Sequence, residues 1–557
     1  VPWTKRRPRT PVLVAAARGT AGAGWMGREQ EAFMSPNNTP EAPMAAPLVS
    51  SNRHLRLTIA GAMLTMILAA LDQNIVNTAL PRIVADLGGA SHLSWVVTAF
   101  LLTSTATTPL YGKLSDMYGR KRLFYLAITI FLAGSVLCGL AQDMLQLILF
   151  RALQGLGAGG LMTLAQTVVG DVVAPRDRGR YQGLFTGVFA VSSVAGPLVG
   201  GVLTEALSWR WVFYVNLPVG AAALAMIAIG LRHPSALKRR QIDYPGAALL
   251  AAGTTALLLL LSWAGTLFAW ASMPILWLGI AALGFFVAFV LWERRAPEPI
   301  IGLHLFRERV YVSGVVASAM LVFAMMGTTV FLPLYFQLVL GMTPTQAGLM
   351  MLPQVAGMIF SSILGGRLVS ATGRYKPFLI AGVGAEALGL CGLAILARLA
   401  APFWAFELCM LVLGLGMGVA MPNITTSVQN AVNPRELGVA TSSMSFLRSL
   451  GGALGVALSG ALMMAWLNSI LAETVRGLDV QALLEHGVRA LEGLGADEQN
   501  LVASAYRGAI AMSFTMSGVV MCCAFLLVLT LPALALRKAH EGPAPGAPRA
   551  PARQAAE

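Results

Sequence analysis

Five charged side chains stand inside long apolar runs: Asp72, Arg151, Glu386, Glu407 and Arg448. Each needs a reason, because a charge at bilayer depth costs roughly 3 kcal/mol on insertion scales. Asp72 lies in Leu71-Asp72-Gln73-Asn74-Ile75-Val76-Asn77-Thr78-Ala79-Leu80-Pro81. It is about eight residues, or ~12 Å, from one end of its helix, and Arg151 is about six residues, or ~9 Å, from the matching end of its own. The two pair if their helices face each other. Low-dielectric surroundings favour a neutral acid, and a nearby guanidinium favours the charged form. A carboxyl that alternates between these surroundings takes up and releases a proton. The alternative is a static ion pair that orients two helices. Glu386 reads equally as a packed neutral carboxyl and as a proton carrier. Glu407 lies near a helix end, where it either faces the interior or snorkels to water.

A second constellation is Gly112-Lys113-Leu114-Ser115-Asp116-Met117-Tyr118-Gly119-Arg120-Lys121-Arg122, a short link between two apolar runs. Its four cations hold it on the cytoplasmic side. Gly112 and Gly119 let the chain turn where a side chain would clash. Asp116 has Arg120, Lys113 and Lys121 within reach, so it can form charge-assisted bonds in one state and break them in another. These residues are candidates for a gate.

Further segments have packing signatures. Leu149-Phe150-Arg151-Ala152-Leu153-Gln154-Gly155-Leu156-Gly157-Ala158-Gly159 carries glycines that permit close helix approach. Gly187 precedes Gly196-Pro197-Leu198-Val199-Gly200-Gly201, in which Pro197 removes a backbone donor and kinks the helix. Trp209-Arg210-Trp211-Val212-Phe213-Tyr214 suits an interfacial aromatic belt. The loop Gly112–Arg122 resembles the signature loop between helices 2 and 3 of the major facilitator superfamily. The Leu149–Gly159 block resembles its helix-4 motif, and the Gly187–Gly201 block its helix-5 antiporter motif. With the Asp72 motif, Trp209–Pro218, Asp243-Tyr244-Pro245-Gly246, Tyr335-Phe336-Gln337 through Pro353, and Phe446-Leu447-Arg448-Ser449-Leu450-Gly451-Gly452, the chain resembles the fourteen-helix drug:proton antiporters. That resemblance runs from about Leu57 to Leu536. It implies the major facilitator fold, driven by a proton gradient without a cofactor. Candidate cavity residues are Asn74, Asn77, Tyr335, Phe336, Gln337 and Arg448, the aromatics reading otherwise as lipid contact or core packing, and a cationic cargo would want a carboxylate, for which Asp72 and Glu407 are the candidates.

The elements that must position these residues follow from composition. The chain is 56% hydrophobic and 11% charged. Runs of about 20 apolar residues span a bilayer, and about fourteen such runs occur, so the expected class is an all-α polytopic membrane protein. The net charge of +14 lies between the runs, where it sets topology rather than marking nucleic-acid binding. One set of loops carries Lys113, Arg120–Arg122, Arg176, Arg178, Arg180, Arg232, Lys238–Arg240, Arg294, Arg295, Arg307, Arg309, Arg367, Arg374, Lys376 and Arg435, and the alternate set carries few cations. The rich set is expected to be cytoplasmic, with both termini on that side.

The sequence also repeats at an offset of roughly 255 residues. Gly112, Leu114, Gly119 and Arg120 are echoed by Gly366, Leu368, Gly373 and Arg374. Gly155-Leu156-Gly157 is echoed by Gly414-Leu415-Gly416, and Pro175-Arg176-Asp177 by Pro434-Arg435-Glu436. The expected organisation is a disordered cytoplasmic tail over 1–53, a six-helix bundle over 54–232 and a linker with two inserted helices over 233–309. A second six-helix bundle follows over 310–536, with an exterior loop at 467–507, and a disordered tail over 537–557. Arg6-Arg7 is interrupted as an export signal by Arg18, and Met34 or Met44 are plausible starts. The exterior loop reads equally as a helical hairpin over the mouth and as a solvated spacer.

The function expected is proton-coupled multidrug efflux from a bacterial cytoplasmic membrane, exporting lipophilic, cationic small molecules by alternating access. A metabolite, amino acid, siderophore or lipid-like cargo is the alternative. Partners are the bilayer, protons, the small molecule and, as a further partner, a periplasmic adaptor; nucleic acid is not expected. An enzyme or ATP-driven pump is disfavoured, because there is no Gly-x-x-x-x-Gly-Lys-Ser/Thr loop and no His-Glu-x-x-His. The five cysteines fall in apolar runs without metal-ligand spacing, and the six histidines lie outside the runs, so no metal is expected.

Overall fold

The structure is a computed structural model that describes residues 52–88, 93–231, 242–265, 267–399, 402–474, 496–532 and 536. It is built from long helices, which we number α1 (Asn52–Leu87), α2 (Leu93–Tyr118), α3 (Arg120–Leu140), α4 (Met144–Val172), α5 (Arg178–Ala206) and α6 (Asn216–Gly230), the last preceded by one turn at Trp211–Tyr214. The chain continues through α7 (Tyr244–Trp263) and α8 (Met273–Glu293), then α9 (Arg309–Leu334), α10 (Leu352–Thr372), α11 (Lys376–Leu399), α12 (Phe403–Ala431), α13 (Leu437–Thr474) and α14 (Ala496–Leu529). Among the described residues, thirteen helices are long and apolar enough to cross a membrane. The long helix outside that set is α2, where hydroxyls at Thr103, Ser104, Thr105, Thr107 and Thr108 replace apolar side chains. The hydroxyls of Thr103, Ser104, Thr107 and Thr108 are compatible with a spanning helix because they bond carbonyls of their own helix or of α4.

Helices α1–α6 pack on one another and α9–α14 on one another. The two groups meet mainly where α2 crosses α13 and where α5 crosses α10. Helices α7 and α8 form a hairpin against the edge of α2 and α13. Small residues make these approaches close. Gly157 of α4 backs onto α3 at Ala127 and Phe131, and Gly416 of α12 backs onto α11 at Gly382 and Glu386, so the same contact recurs in each group. The echoed turns recur as well. Gly119, at φ 90°, is the single residue between α2 and α3, and Gly373, at φ 68°, ends α10 before α11. Both need the positive φ that glycine adopts without a steric cost.

The last two helices run further than their apolar stretches suggested. α13 reaches Thr474 and α14 starts at Ala496 because Leu467, Val502, Ala505 and Tyr506 continue the core of the second group. Of the expected exterior loop over 467–507, the two ends are helical and 475–495 lie outside the described residues, as do 1–51 and 537–557 of the expected tails and the cations Arg232, Lys238, Arg239 and Arg240.

We call the end carrying Gly112–Arg122 the basic end. At the opposite end, Asp86 of α1 accepts from Trp209 Nε1 and from Arg210 Nη1, each at 2.8 Å. The Trp209 N–H, reinforced by Arg210, holds the Asp86 carboxyl below the usual carboxylate range. A lowered pKa means that the clasp is complete above about pH 4 and lost only as pH falls further. Tryptophan emission attributable to Trp209 is therefore expected to be flat from neutrality to about pH 5 and to respond to Asp86→Ala.

Candidate functional site

The charged residues of the first group form a buried network. Asp72 of α1 and Arg151 of α4 are both within 1% of full burial. Arg151 Nη1 lies 2.7 Å from Asp72 Oδ2. Asp72 Oδ1 accepts from Gln154 Nε2 at 2.8 Å and from Asn216 Nδ2 at 2.7 Å. Gln154 Nε2 also donates to Ser135 Oγ, and its Oε1 accepts from Arg151 Nη1. Both oxygens of Asp72 thus act as acceptors, and helices α1, α3, α4 and α6 each supply a member. A buried ion pair of this kind is strongly destabilised, by about 3–5 kcal/mol, when one partner alone is removed. Arg151 reaches a fifth helix: its Nε donates to the Val96 carbonyl of α2, and its guanidinium lies 4.1 Å from the Phe100 ring centroid.

The same α2 carries the gate candidates twelve and more residues further along. Asp116 Oδ1 accepts from the backbone N–H of Gly438 at 3.2 Å and Oδ2 from that of Val439 at 2.9 Å. These are first-turn N–H groups of α13, which have no intrahelical partner and carry the positive end of the helix dipole. Arg120 completes the cluster by pairing with Asp116 and, at 2.7 Å, with Asp171. Gly112 lies against Ser442 and the Gly438 carbonyl, where any Cβ would collide. Around the rest of this end, Arg176 donates to the carbonyls of Ser370 and Ala371, Arg178 to that of Gln429, and Gln429 to that of Gln166. The hydrogen bonds joining the two helix groups therefore cluster at the basic end, which is closed. Asp116→Asn keeps the volume but removes the negative charge and turns one of the two accepting oxygens into a donor that meets an N–H. Weakening by about 2 kcal/mol of the contact with α13 is expected, read as faster alkylation of an S442C cysteine, which is buried when the end is closed.

Between the groups lies a cavity of about 530 Å³. Its wall includes seven methionines, Phe100, Phe185 and Phe189, hydroxyls such as Thr105 and Thr425, and the amides Gln73, Gln166 and Gln182. Leu258, Leu261 and Ser262 of the inserted α7 complete it on one side. Arg448 of α13 is the charged residue in its lining.

The sequence-predicted residues separate into distinct places. Asp72 and Arg151 come together, as the matched depths required, but inside the first group and behind the cavity wall. Glu386 is 1% exposed in the core of α10–α12, and its Oε1 has no hydrogen-bond partner. Glu407 is half-buried near the start of α12 and outside the cavity lining. Tyr335 and Phe336 follow Pro333 in a π-helical turn and point into the core of the second group, where Tyr335 lies 5.0 Å from Phe406. Gln337 lies on the same turn, Asn77 is exposed, and none of these lines the cavity. Asn74 packs against Gly196 and donates to the Ala70 carbonyl of its own helix. Gly196 and Gly200 seat α5 on α1, Gly187 faces Ser362 of α10, Pro197 is exposed and Gly201 faces open space. Gly119 forms the α2–α3 turn, whereas Lys121 donates to the Ala228 carbonyl at the end of α6 and does not reach the second group. The carboxylates that a cationic cargo would need, Asp72 and Glu407, are thus absent from the cavity wall. Sequence reasoning missed Gln154, Asn216, Ser135 and Asp171. Gln154 was detectable three residues beyond Arg151, on the same helical face. The other three carried no spacing signal.

Residues 62–456 match the model of the major facilitator superfamily. The multidrug transporter protein MdtP of Bacillus subtilis (strain 168) is 40% identical over 75% of this chain and 77% of its own length. Multidrug resistance protein 3 of the same organism is 35% identical over 82% of this chain and 88% of its own. In fold, the proton:xylose symporter XylE aligns with a TM-score of 0.59 at 14% identity, covering 87% of this chain and 98% of the symporter. A family match over most of the chain, relatives along its length and a cavity between two helix groups lead to one conclusion: the chain belongs to the major facilitator superfamily, whose members are membrane transporters and not enzymes.

Proposed function

We propose that this transporter is a proton-coupled efflux antiporter of a bacterial cytoplasmic membrane, with both termini cytoplasmic, that exports lipophilic small molecules by alternating access. The observation that carries the reading is Phe100. Its ring both lines the cavity and lies against the guanidinium that holds Asp72. A cargo filling the cavity presses on Phe100 and so on Arg151. Protonation of Asp72 removes an acceptor from the network and frees Arg151. Each event biases the other, which is the reciprocity that coupling requires. Helix α2 then conveys the change from Val96 and Phe100 to Gly112 and Asp116, so the basic end opens when the network rearranges. Glu386 serves in this scheme as a second proton site in the other group, supported by its burial without a partner for Oε1. A cationic cargo has no counter-charge here, because none of the described residues that line the cavity is a carboxylate.

The test is transport by the full chain in reconstituted vesicles with an imposed pH gradient. Substrate flux against the proton flow, collapsed by an uncoupler, is expected. Flux that persists after the gradient is collapsed overturns the coupling.

A further inference from the structure

We infer that the cargo of this transporter is an amphipathic organic acid, and that Arg448 receives its acid group; the inference rests on the efflux reading above. Arg151 is paired with Asp72 and Arg120 with Asp116 and Asp171, whereas the buried Arg178 donates to backbone carbonyls at the basic end. Arg448, which faces the cavity, is bonded to neither kind of partner. It stands eleven residues into α13, or about 16 Å along the helix, and among the described residues no carboxylate forms an ion pair with it. Its Nε donates to the Ser318 hydroxyl of α9 and its Nη2 to the Thr425 hydroxyl of α12 at 2.8 Å. Two neutral hydroxyls orient the guanidinium without neutralising it. They leave Nη1 with no hydrogen bond to a described residue, on a side chain that is half-buried and faces the cavity.

A planar fork held by one edge in low-dielectric surroundings is suited to a carboxylate, which it binds with charge-assisted, directional bonds. A cationic head group meets only repulsion there, and a neutral one leaves the arginine uncompensated. The rest of the wall fits the body of such a molecule. Flexible, polarizable methionines adapt to apolar shapes, and Phe100 and Phe185 supply ring faces. The selectivity is therefore narrow at one point, the acid, and broad everywhere else. Arg448 also belongs to the helix whose first turn is held by Asp116, so an acid bound to it loads the gate helix directly.

The experiment uses three probes with one dansylated undecyl tail and different heads: a carboxylic acid, its primary amide and a trimethylammonium. Binding to the purified full chain in detergent is read by dansyl fluorescence, and export is read in reconstituted vesicles. Wild type is expected to bind and export the acid at least about tenfold better than either other probe. In R448Q the three probes should come within about twofold of one another, while R448K, which keeps charge but loses the fork, should keep the order with a smaller ratio. A wild-type preference for the amide or the ammonium overturns the inference, as does an R448Q variant that weakens all three equally, which marks Arg448 as a structural tie between helices. The wild-type ranking decides the matter even if R448Q does not fold. Export of the ammonium or amide without the acid refutes this inference and leaves efflux standing; export of none of the three removes the efflux reading as well.

Discussion

Asp72→Asn is expected to abolish pH-driven export, lowering it by at least about a hundredfold, a loss of the size that removal of an essential proton carrier produces. Asparagine is nearly isosteric, so the shape of the site survives while its chemistry does not. An amide cannot take up and release a proton, and its nitrogen would face donors on Arg151, Gln154 or Asn216 that now meet a carboxylate. The same replacement leaves Arg151 buried without its counter-charge, a cost of about 3–5 kcal/mol. The single variant thus mixes lost coupling with lost stability. The double variant D72N/R151Q separates them, because it removes both charges together. Thermal stability in detergent should recover toward wild type, and pH-driven export should remain absent. Export by the double variant that still follows the pH gradient would show that the buried pair only orients helices, which was the alternative open from the outset.

The second large effect concerns closure at the basic end. In Gly112→Val, the new side chain occupies space held by Ser442 and by the backbone of Gly438. Backbone cannot swing aside as a long side chain does, so α2 and α13 must separate. Overpacking of this kind costs about 1–3 kcal/mol, and here it falls on the closed state alone. The bonds from Gly438 and Val439 to Asp116 are lost with the same displacement. A shift in the ratio of open to closed forms by about five- to 160-fold follows, with export reduced by at least about tenfold because the cycle stalls. Spin labels at the exposed positions Asp177 and Arg374, which face each other across the contact between the two helix groups, should report a longer distance as the main population. An unchanged distance distribution with near-normal export would remove Gly112 and Asp116 from the gate.

These two experiments test different levels of the same chain of cause. Asp72 on α1 and Gly112 on α2 are far apart in role but are linked by α2, which touches Arg151, the partner of Asp72, through Val96 and Phe100 and touches α13 through Gly112 and Asp116. One continuous helix that contributes to both places is a physical connection between proton and gate. Loss of coupling with an intact gate in D72N, and loss of closure with intact proton binding in G112V, would be the expected pair of results.

Much of this architecture was legible from local chemistry. Apolar runs of membrane-spanning length determine helices in any order of packing, because every backbone polar group must be satisfied within the segment. Asp72 and Arg151 stood out because a charge in such a run is costly; the expected Gly112–Arg122 loop shrank to Gly119 alone, because α2 continues to Tyr118 and Gly112 serves close approach rather than a turn. The limits were equally physical. Gln154, Asn216 and Ser135 are uncharged residues that helices tolerate anywhere, and only the convergence of Gln154 and Asn216 on Asp72, with Ser135 accepting from both, gives them a role. Tyr335 and Phe336 looked like cavity aromatics, but the π-helical turn after Pro333 rotates them into the core of the second group. The sign of the cavity was hidden for the same reason. Whether Asp72 or Arg448 faces the space between the helix groups depends on helix rotation, which a periodic apolar pattern specifies weakly when lipid and protein interior are equally apolar. The amino-acid sequence by itself determined how many helices form, where they turn and which charges lie in the membrane, because those follow from costs borne within each segment. Only the tertiary structure decided which charges pair with one another and which one faces the cavity, because that depends on contacts between helices far apart in the chain.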